Sequence, residues 1–229
     1  MLDIVQFVSM KIPNPQTPES DNVVAGFIAA HPEFSSVYIF AGEPTFVQAS
    51  GRSARLDEEA VQLELYSDLA TTIIHQQLSG KVARVFEDRL MQSCNGVLSP
   101  ANVVLLGEDG LRLIGLSAAK TRALLELSLA VASGELSFEA LAEMTDDEVV
   151  ARLCQLWGLG PWSAHMFLLF GLGRLNVWAP ADLGVRKGYA KLYSLEDMPS
   201  INEMVLNGAR YSPTASLATW FFWRVLEQP

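Results

Sequence analysis

Leu156-Trp157-Gly158-Leu159-Gly160-Pro161-Trp162-Ser163-Ala164 joins two helical patterns through a turn with two glycines one residue apart. Glycine admits positive φ and the close approach of another backbone. Pro161 suits the first position of the helix that follows, because its missing N–H is one the helix leaves unpaired anyway. The turn therefore places free backbone N–H groups at a helix N-terminus, where an anion can bind without any basic side chain. An ordinary tight helix–helix turn uses the same residue types, so this segment alone supports either reading.

Helical signals continue on both sides of it. Asp57, Glu58 and Glu59 put negative charge where a helix start favours it, and Val61, Leu65, Leu69 and Ile73 follow at a four-residue step. Ser79 is placed to cap a helix running to about Met91, and Ser99-Pro100 has N-cap and N1 residue types. Ser117 opens a helix through Leu124, Leu127 and Val131 that stops at Gly134. Thr145 with Glu148 three residues later fits a capping box for a helix reaching about Trp157. Ser212-Pro213 starts the last helix, ending near Leu226. The pattern predicts about nine or ten short helices, all-α and not a simple bundle. Residues 13–21 read as loop, and Val37–Phe40 and Thr45–Val47 as two short β-leaning runs.

Composition narrows the function classes. In 229 residues, half are apolar and 18% are charged, which excludes general disorder. The net charge of −10 disfavours a polyanion partner gripped mainly by Lys and Arg, although an anion site made of backbone N–H groups escapes that objection. Two distant cysteines, Cys94 and Cys154, exclude a disulfide scaffold and a four-cysteine zinc or iron–sulfur site within this chain. No apolar run reaches the roughly 18–20 residues of a membrane span, and Asp3 stands where a signal peptide would be basic. A soluble, intracellular protein without membrane contact is expected. No heptad seam argues against a monomer.

Downstream of the hairpin lies Asn176-Val177-Trp178-Ala179-Pro180-Ala181-Asp182-Leu183-Gly184. Asp182 follows a proline and precedes a helical stretch, the place of an N-cap. Two further blocks are Ile73-Ile74-His75-Gln76-Gln77-Leu78-Ser79 and Gly115-Leu116-Ser117-Ala118-Ala119-Lys120. The four blocks occur in order over about residues 65–193. Together they resemble the helix–hairpin–helix DNA glycosylase superfamily in its 3-methyladenine DNA glycosylase II branch, and the Trp-rich C-terminal stretch (Trp220, Trp223, Arg224) also fits.

The resemblance implies two helical subdomains flanking a cleft, with the hairpin motif and a short irregular N-terminal segment. Residues 1–56 would pack on the helical core, and residues 57–229 would form the glycosylase domain. It implies a monofunctional glycosylase of base excision repair that flips out alkylated purines and hydrolyses their N-glycosidic bond in double-stranded DNA. Asp182 would be the catalytic carboxylate. An N-alkylated purine already carries positive charge, so no general acid is required, and a fixed carboxylate can stabilise the oxocarbenium-like sugar or orient water. Trp162 stands where lyase relatives carry a Lys nucleophile, which removes the amine needed for a Schiff base. Trp162, Met166 and Trp178 are the expected base pocket, where an electron-rich ring face attracts a cationic base. Gln77 would plug the emptied duplex. Gly158, Gly160 and Ser163 would contact a backbone phosphate, with Lys120 on the DNA side. No metal or organic cofactor is implied, beyond a monovalent cation bridging hairpin carbonyls when DNA is bound. His165, on the helix after the hairpin, reads as structural rather than catalytic, and His75 is open to either reading. Localisation follows the genome: cytoplasm and nucleoid in a bacterium, nucleus in a eukaryote.

Three departures stand out. Asn176 replaces a usual Asp, Pro213-Thr214-Ala215-Ser216 lacks an aromatic–Arg pair, and Met166 replaces an aromatic. With the acidic charge, they motivate an alternative: a DNA lesion- or structure-binding protein that keeps the hairpin without turnover. A lyase is disfavoured by Trp162. Whichever holds, DNA binding is expected to be weak and salt-sensitive, through a small basic face drawn from Lys81, Arg84, Lys120 and Arg122. In equilibrium binding, log affinity should fall linearly with log salt; a flat line would contradict any phosphate-gripping role.

Overall fold

Twelve α-helices and no strand form the described part of the computed structural model, which covers residues 18–44, 46 and 57–229. We number them α1 (Pro18–Ala30), α2 (Ser35–Ala41), α3 (Glu58–His75), α4 (Gly80–Ser93), α5 (Pro100–Leu113), α6 (Ala118–Ala132), α7 (Phe138–Glu143), α8 (Asp146–Leu153), α9 (Pro161–Met166), α10 (Leu183–Leu192), α11 (Ile201–Gly208) and α12 (Ala215–Val225). The expected helix starts hold in chemistry as well as position. Asp57, Ser99 and Ser117 each accept a backbone N–H in the first turn of the next helix, and Thr145 with Glu148 closes the capping box. Ser79 precedes α4 without a side-chain cap.

The described residues divide into two compact units, one of residues 57–172 and one of residues 18–46 with 173–229. In the first, α3 is the central helix, with Leu65, Leu69, Ala70, Ile73 and Ile74 buried. The buried Tyr66 hydroxyl hydrogen-bonds the Ser128 hydroxyl on α6 at 2.7 Å, so the apolar seam is keyed by one satisfied polar pair. Phe167 continues α9 as a π-helical turn, Phe167–Gly171, and packs at a tilt against Phe138 of α7 with ring centres 5.7 Å apart.

In the second unit α12 is the spine, with every residue from Ala215 to Val225 buried. Phe27 and Phe34 pack against Phe221, and Tyr189 and Tyr211 against Phe222, all with ring centres within 6 Å. This aromatic core explains a difference from the expected pattern. Val37–Phe40 lies inside α2, because Val37 is buried and Tyr38 sets its ring edge-on to Phe221. Tertiary packing overrides a weak β preference in so short a run. Thr45 and Val47 lie outside the described residues. The expected loop at 13–21 becomes helical from Pro18, its earlier residues also lying outside the description. The N-terminal segment is thus helical where it is described, not irregular. Two boundaries also shift: α8 stops at Leu153, and α12 begins at Ala215, after Pro213.

Helices α10 and α12 meet backbone to side at Gly188, where an added Cβ would come within 1.9 Å of the Phe222 carbonyl oxygen. Neither backbone can yield without moving a helix. Gly188→Ala is therefore expected to destabilise the protein by about 3 kcal/mol or more in urea unfolding, at the upper end of overpacking effects. A loss below about 1 kcal/mol would show that the two helices are not in close register there.

Candidate active site and hairpin

Asp182 ends a loop fastened from the far side by α12. The Ser216 hydroxyl donates to the Arg174 carbonyl at 2.6 Å and accepts from Val177 N–H at 2.9 Å, while the Thr219 hydroxyl donates to the Val177 carbonyl. Asn176 Oδ1 accepts from Ala215 N–H at the start of α12, at 3.5 Å. The Asn and Ser departures therefore supply neutral hydrogen bonds that hold the same loop. Asp182 itself is the N-cap of α10 and is 1% exposed. Its Oδ1 accepts from Val185 N–H at 2.7 Å and from the Trp223 indole N–H at 2.8 Å. Gly184 permits this geometry, because a Cβ there would lie 2.7 Å from Trp223 Cδ1. Trp223 is a site residue that the sequence reading does not name; its signal is a Trp within the apolar run Trp220–Trp223, whose N–H needs a buried acceptor.

Trp178 belongs to the same unit. It is half-buried, its indole N–H donates to the Met204 carbonyl at 2.7 Å, and its ring packs 5.4 Å from Tyr211 and against Gly208. These contacts give Trp178 a packing role between α11 and α12.

The remaining expected site residues lie in the first unit, and most of them meet. Gly158 has φ +84°, and a Cβ there would lie 2.6 Å from Ala123 Cβ on α6, so conformation and space both demand glycine. Gly160, the N-cap of α9, is extended, with open space where a side chain would be. Gln76, the residue after α3, donates from Nε2 to the Gly158 carbonyl at 2.8 Å and to Ser163 Oγ at 2.9 Å. Ser163 is buried at 1% exposure, so it ties the hairpin to α3 instead of reaching outward. Gln77 is exposed and holds φ +57°. Trp162 is half-buried and Met166 buried at 2% exposure on α9. His75 bonds Glu87 at 2.8 Å, and burial pulls His165 below its usual range against the opposing pull of Asp146 and Asp147.

Lys120 differs most from expectation. Its ammonium is turned inward, donating to the carbonyls of Ile73, Ile74 and Gln76 at the end of α3. It serves as a helix C-cap supplied from another helix. Arg122 remains 61% exposed while lying 4.4 Å over the Trp157 ring. The hairpin carbonyls retain acceptor capacity: Gly158 O takes one N–H from Gln76 and Leu156 O one from Leu159. A hard monovalent cation with carbonyl donors is compatible with that set. Among the described residues no group of three or more His, Cys, Asp or Glu is placed to hold a metal.

A turn of this geometry, entering a helix through Gly-x-Gly-Pro and followed by a buried Asp at the next helix N-terminus, defines a helix–hairpin–helix protein. Residues 70–207, more than half of the chain, match the HhH-GPD superfamily base excision DNA repair protein family, and the chain belongs to that family. It is 30% identical to DNA-3-methyladenine glycosylase 1 of Schizosaccharomyces pombe over 164 residues, covering 70% of this chain and 72% of that one. It is 29% identical to YfjP of Bacillus subtilis over 170 residues, which cover 71% of this chain and 59% of YfjP. Among solved structures, the S. pombe 3-methyladenine DNA glycosylase in complex with abasic DNA superposes with a TM-score of 0.68 at 28% identity, covering 72% of this chain and 81% of that chain.

Burial lowers the Lys120 pKa from 10.5 to about 8. Below pH 8 both folded and unfolded chains hold the proton, and the desolvated charge costs stability. Between about pH 8 and 10.5 the unfolded chain binds more protons, so stability rises with pH across that window. The unfolding free energy of the native protein, measured relative to Lys120→Met, should rise from pH 8 to 10.5. A flat difference would mean that the ammonium stays solvated.

Proposed function

We propose that this chain is a monofunctional DNA glycosylase of base excision repair that hydrolyses the N-glycosidic bond of alkylated purines of the 3-methyladenine kind in double-stranded DNA. One observation carries the reading: Asp182, in the block matching the family, is a buried carboxylate with one oxygen fixed by two N–H donors. A helix N-terminus favours negative charge there. Such a fixed anion stabilises the cationic sugar formed as the base leaves, or holds the attacking water, with no reorganisation during the reaction. The departing base supplies its own activation through its positive charge.

Other residues take supporting roles in this proposal. Trp162 presents an aromatic ring to the cationic base, with Met166 behind it on α9. Gln77 enters the duplex as the lesion is flipped and hydrogen-bonds the unpaired base. The hairpin of Gly158 and Gly160 holds a phosphate through the unpaired backbone N–H groups in the first turn of α9, with a monovalent cation at the hairpin carbonyls when DNA is bound. The protein acts as a monomer. The names of its relatives support the substrate class, and Trp162 in place of a lysine supports the absence of lyase activity.

The native protein is expected to release free 3-methyladenine from methylated duplex over many turnovers, leaving abasic strands that break only on alkaline treatment. It should form no borohydride-stable complex with DNA. Binding without release would instead favour the non-catalytic alternative, and a trapped covalent complex would reveal a lyase.

A further inference from the structure

Helix α3 ends without the usual device. A helix leaves its last four carbonyls unpaired, and a glycine in the left-handed region commonly closes the turn. Here the residue in that conformation is Gln77, with φ +57° and an exposed side chain. A non-glycine residue persists there only when its surroundings over-determine it, and such outliers concentrate at functional positions. The surroundings can be named. From the first turn of α6, the Lys120 ammonium takes the carbonyls of Ile73, Ile74 and Gln76, the last directly before Gln77. From the other side, the Gln76 amide reaches across to Gly158 O and Ser163 Oγ of the hairpin. Gln76 N–H to Thr72 O and Leu78 N–H to His75 O complete the turn.

We infer that Lys120 and Gln76 are positioning residues for Gln77: a two-sided clamp that holds the turn after α3 in the conformation that projects the Gln77 side chain for insertion into the duplex. This rests on the glycosylase reading above and assigns it a mechanical part. The clamp also explains why a lysine is kept inward in a chain of net charge −10, where outward cations would aid DNA binding. Because Gln76 bonds the hairpin itself, the phosphate-holding turn and the inserting turn form one rigid piece. Misplacement of a reacting group by about 1 Å can lower a rate 10²-fold, so pre-organisation of this kind acts on the rate of flipping and hydrolysis. Affinity, dominated by phosphate contacts, is left close to native.

The test uses the full chain and a methylated duplex with 2-aminopurine beside the lesion. Native protein, Lys120→Met, Gln76→Leu and Lys120→Arg are compared in single-turnover base release, stopped-flow fluorescence and duplex binding. Lys120→Met and Gln76→Leu are expected to lose flipping amplitude and slow base release by about tenfold or more, with Kd near native in Lys120→Met and, in Gln76→Leu, which also loosens the hairpin, changed by less than the rate. Lys120→Arg, which keeps donors for the carbonyls, restores most of the rate. Hydrogen exchange should quicken at the Gln77 and Leu78 amides of Lys120→Met while the α6 amides stay protected. Native-like flipping and release in both disabling variants would overturn the clamp while leaving the glycosylase reading standing. So would a loss confined to Kd. If Lys120→Met loosens α6 as well, Gln76→Leu decides by the same readings. A native protein that neither flips nor releases base would overturn the glycosylase reading, and the clamp with it.

Discussion

The hydrogen bond from the Trp223 indole to Asp182 Oδ1, at 2.8 Å, ties the proposed catalytic carboxylate to the packing of the C-terminal unit. Trp223 lies on α12, the buried spine of the C-terminal unit, so the carboxylate is located by a helix buried along its whole length. Several sequence features follow from that bond. Gly184 leaves room for the indole, and Gly188 lets α10 and α12 close to backbone contact. Ser216 and Thr219 fasten the preceding loop to the same helix. With Val185 N–H as a second donor, Asp182 serves as helix cap and as fixed anion at once.

In the proposed function the hairpin unit faces a different problem, how an acidic protein would grip a polyanion. Its expected basic face is thinner than the sequence suggests, because Lys120 is turned onto the end of α3 and Arg122 lies on Trp157 next to Glu126. What remains is geometry: a glycine turn held against Ala123, and a Gln77 turn held against the hairpin. Anion binding by backbone groups and mechanical fit do not depend on net charge, and both remain available at −10.

How much of this was legible in the sequence depended on range. Capping residues act within four positions, so Asp57, Ser99, Ser117 and Thr145 marked their helices correctly. The all-α class and the hairpin were equally local. Contacts across the chain were not legible. Trp223 is 41 positions from Asp182, and Gln76 is 82 from Gly158, and no spacing rule couples residues that far apart. The inward placement of Lys120 is illegible for the same reason: a lysine near a motif reads as a surface cation until its carbonyl partners, 44 to 47 positions away, are in view. The α2 helix is illegible because its packing partners are distant: Tyr38 on it and Phe34 just before it pack on Phe221 and Phe222.

The most direct measurement is single-turnover base release by Asp182→Asn on methylated duplex, beside its melting temperature. Asparagine keeps an oxygen to accept from Val185 N–H and the Trp223 indole and is as good an N-cap, so the charge and the acceptor at Oδ2 are lost while both Oδ1 bonds are kept. The expected result is a melting temperature close to native with base release lowered by at least about 10²-fold, the size of a lost electrostatic contact in a transition state. A variant that melts like the native protein and still releases base at the native rate would contradict the account, and the catalytic carboxylate would have to be sought elsewhere.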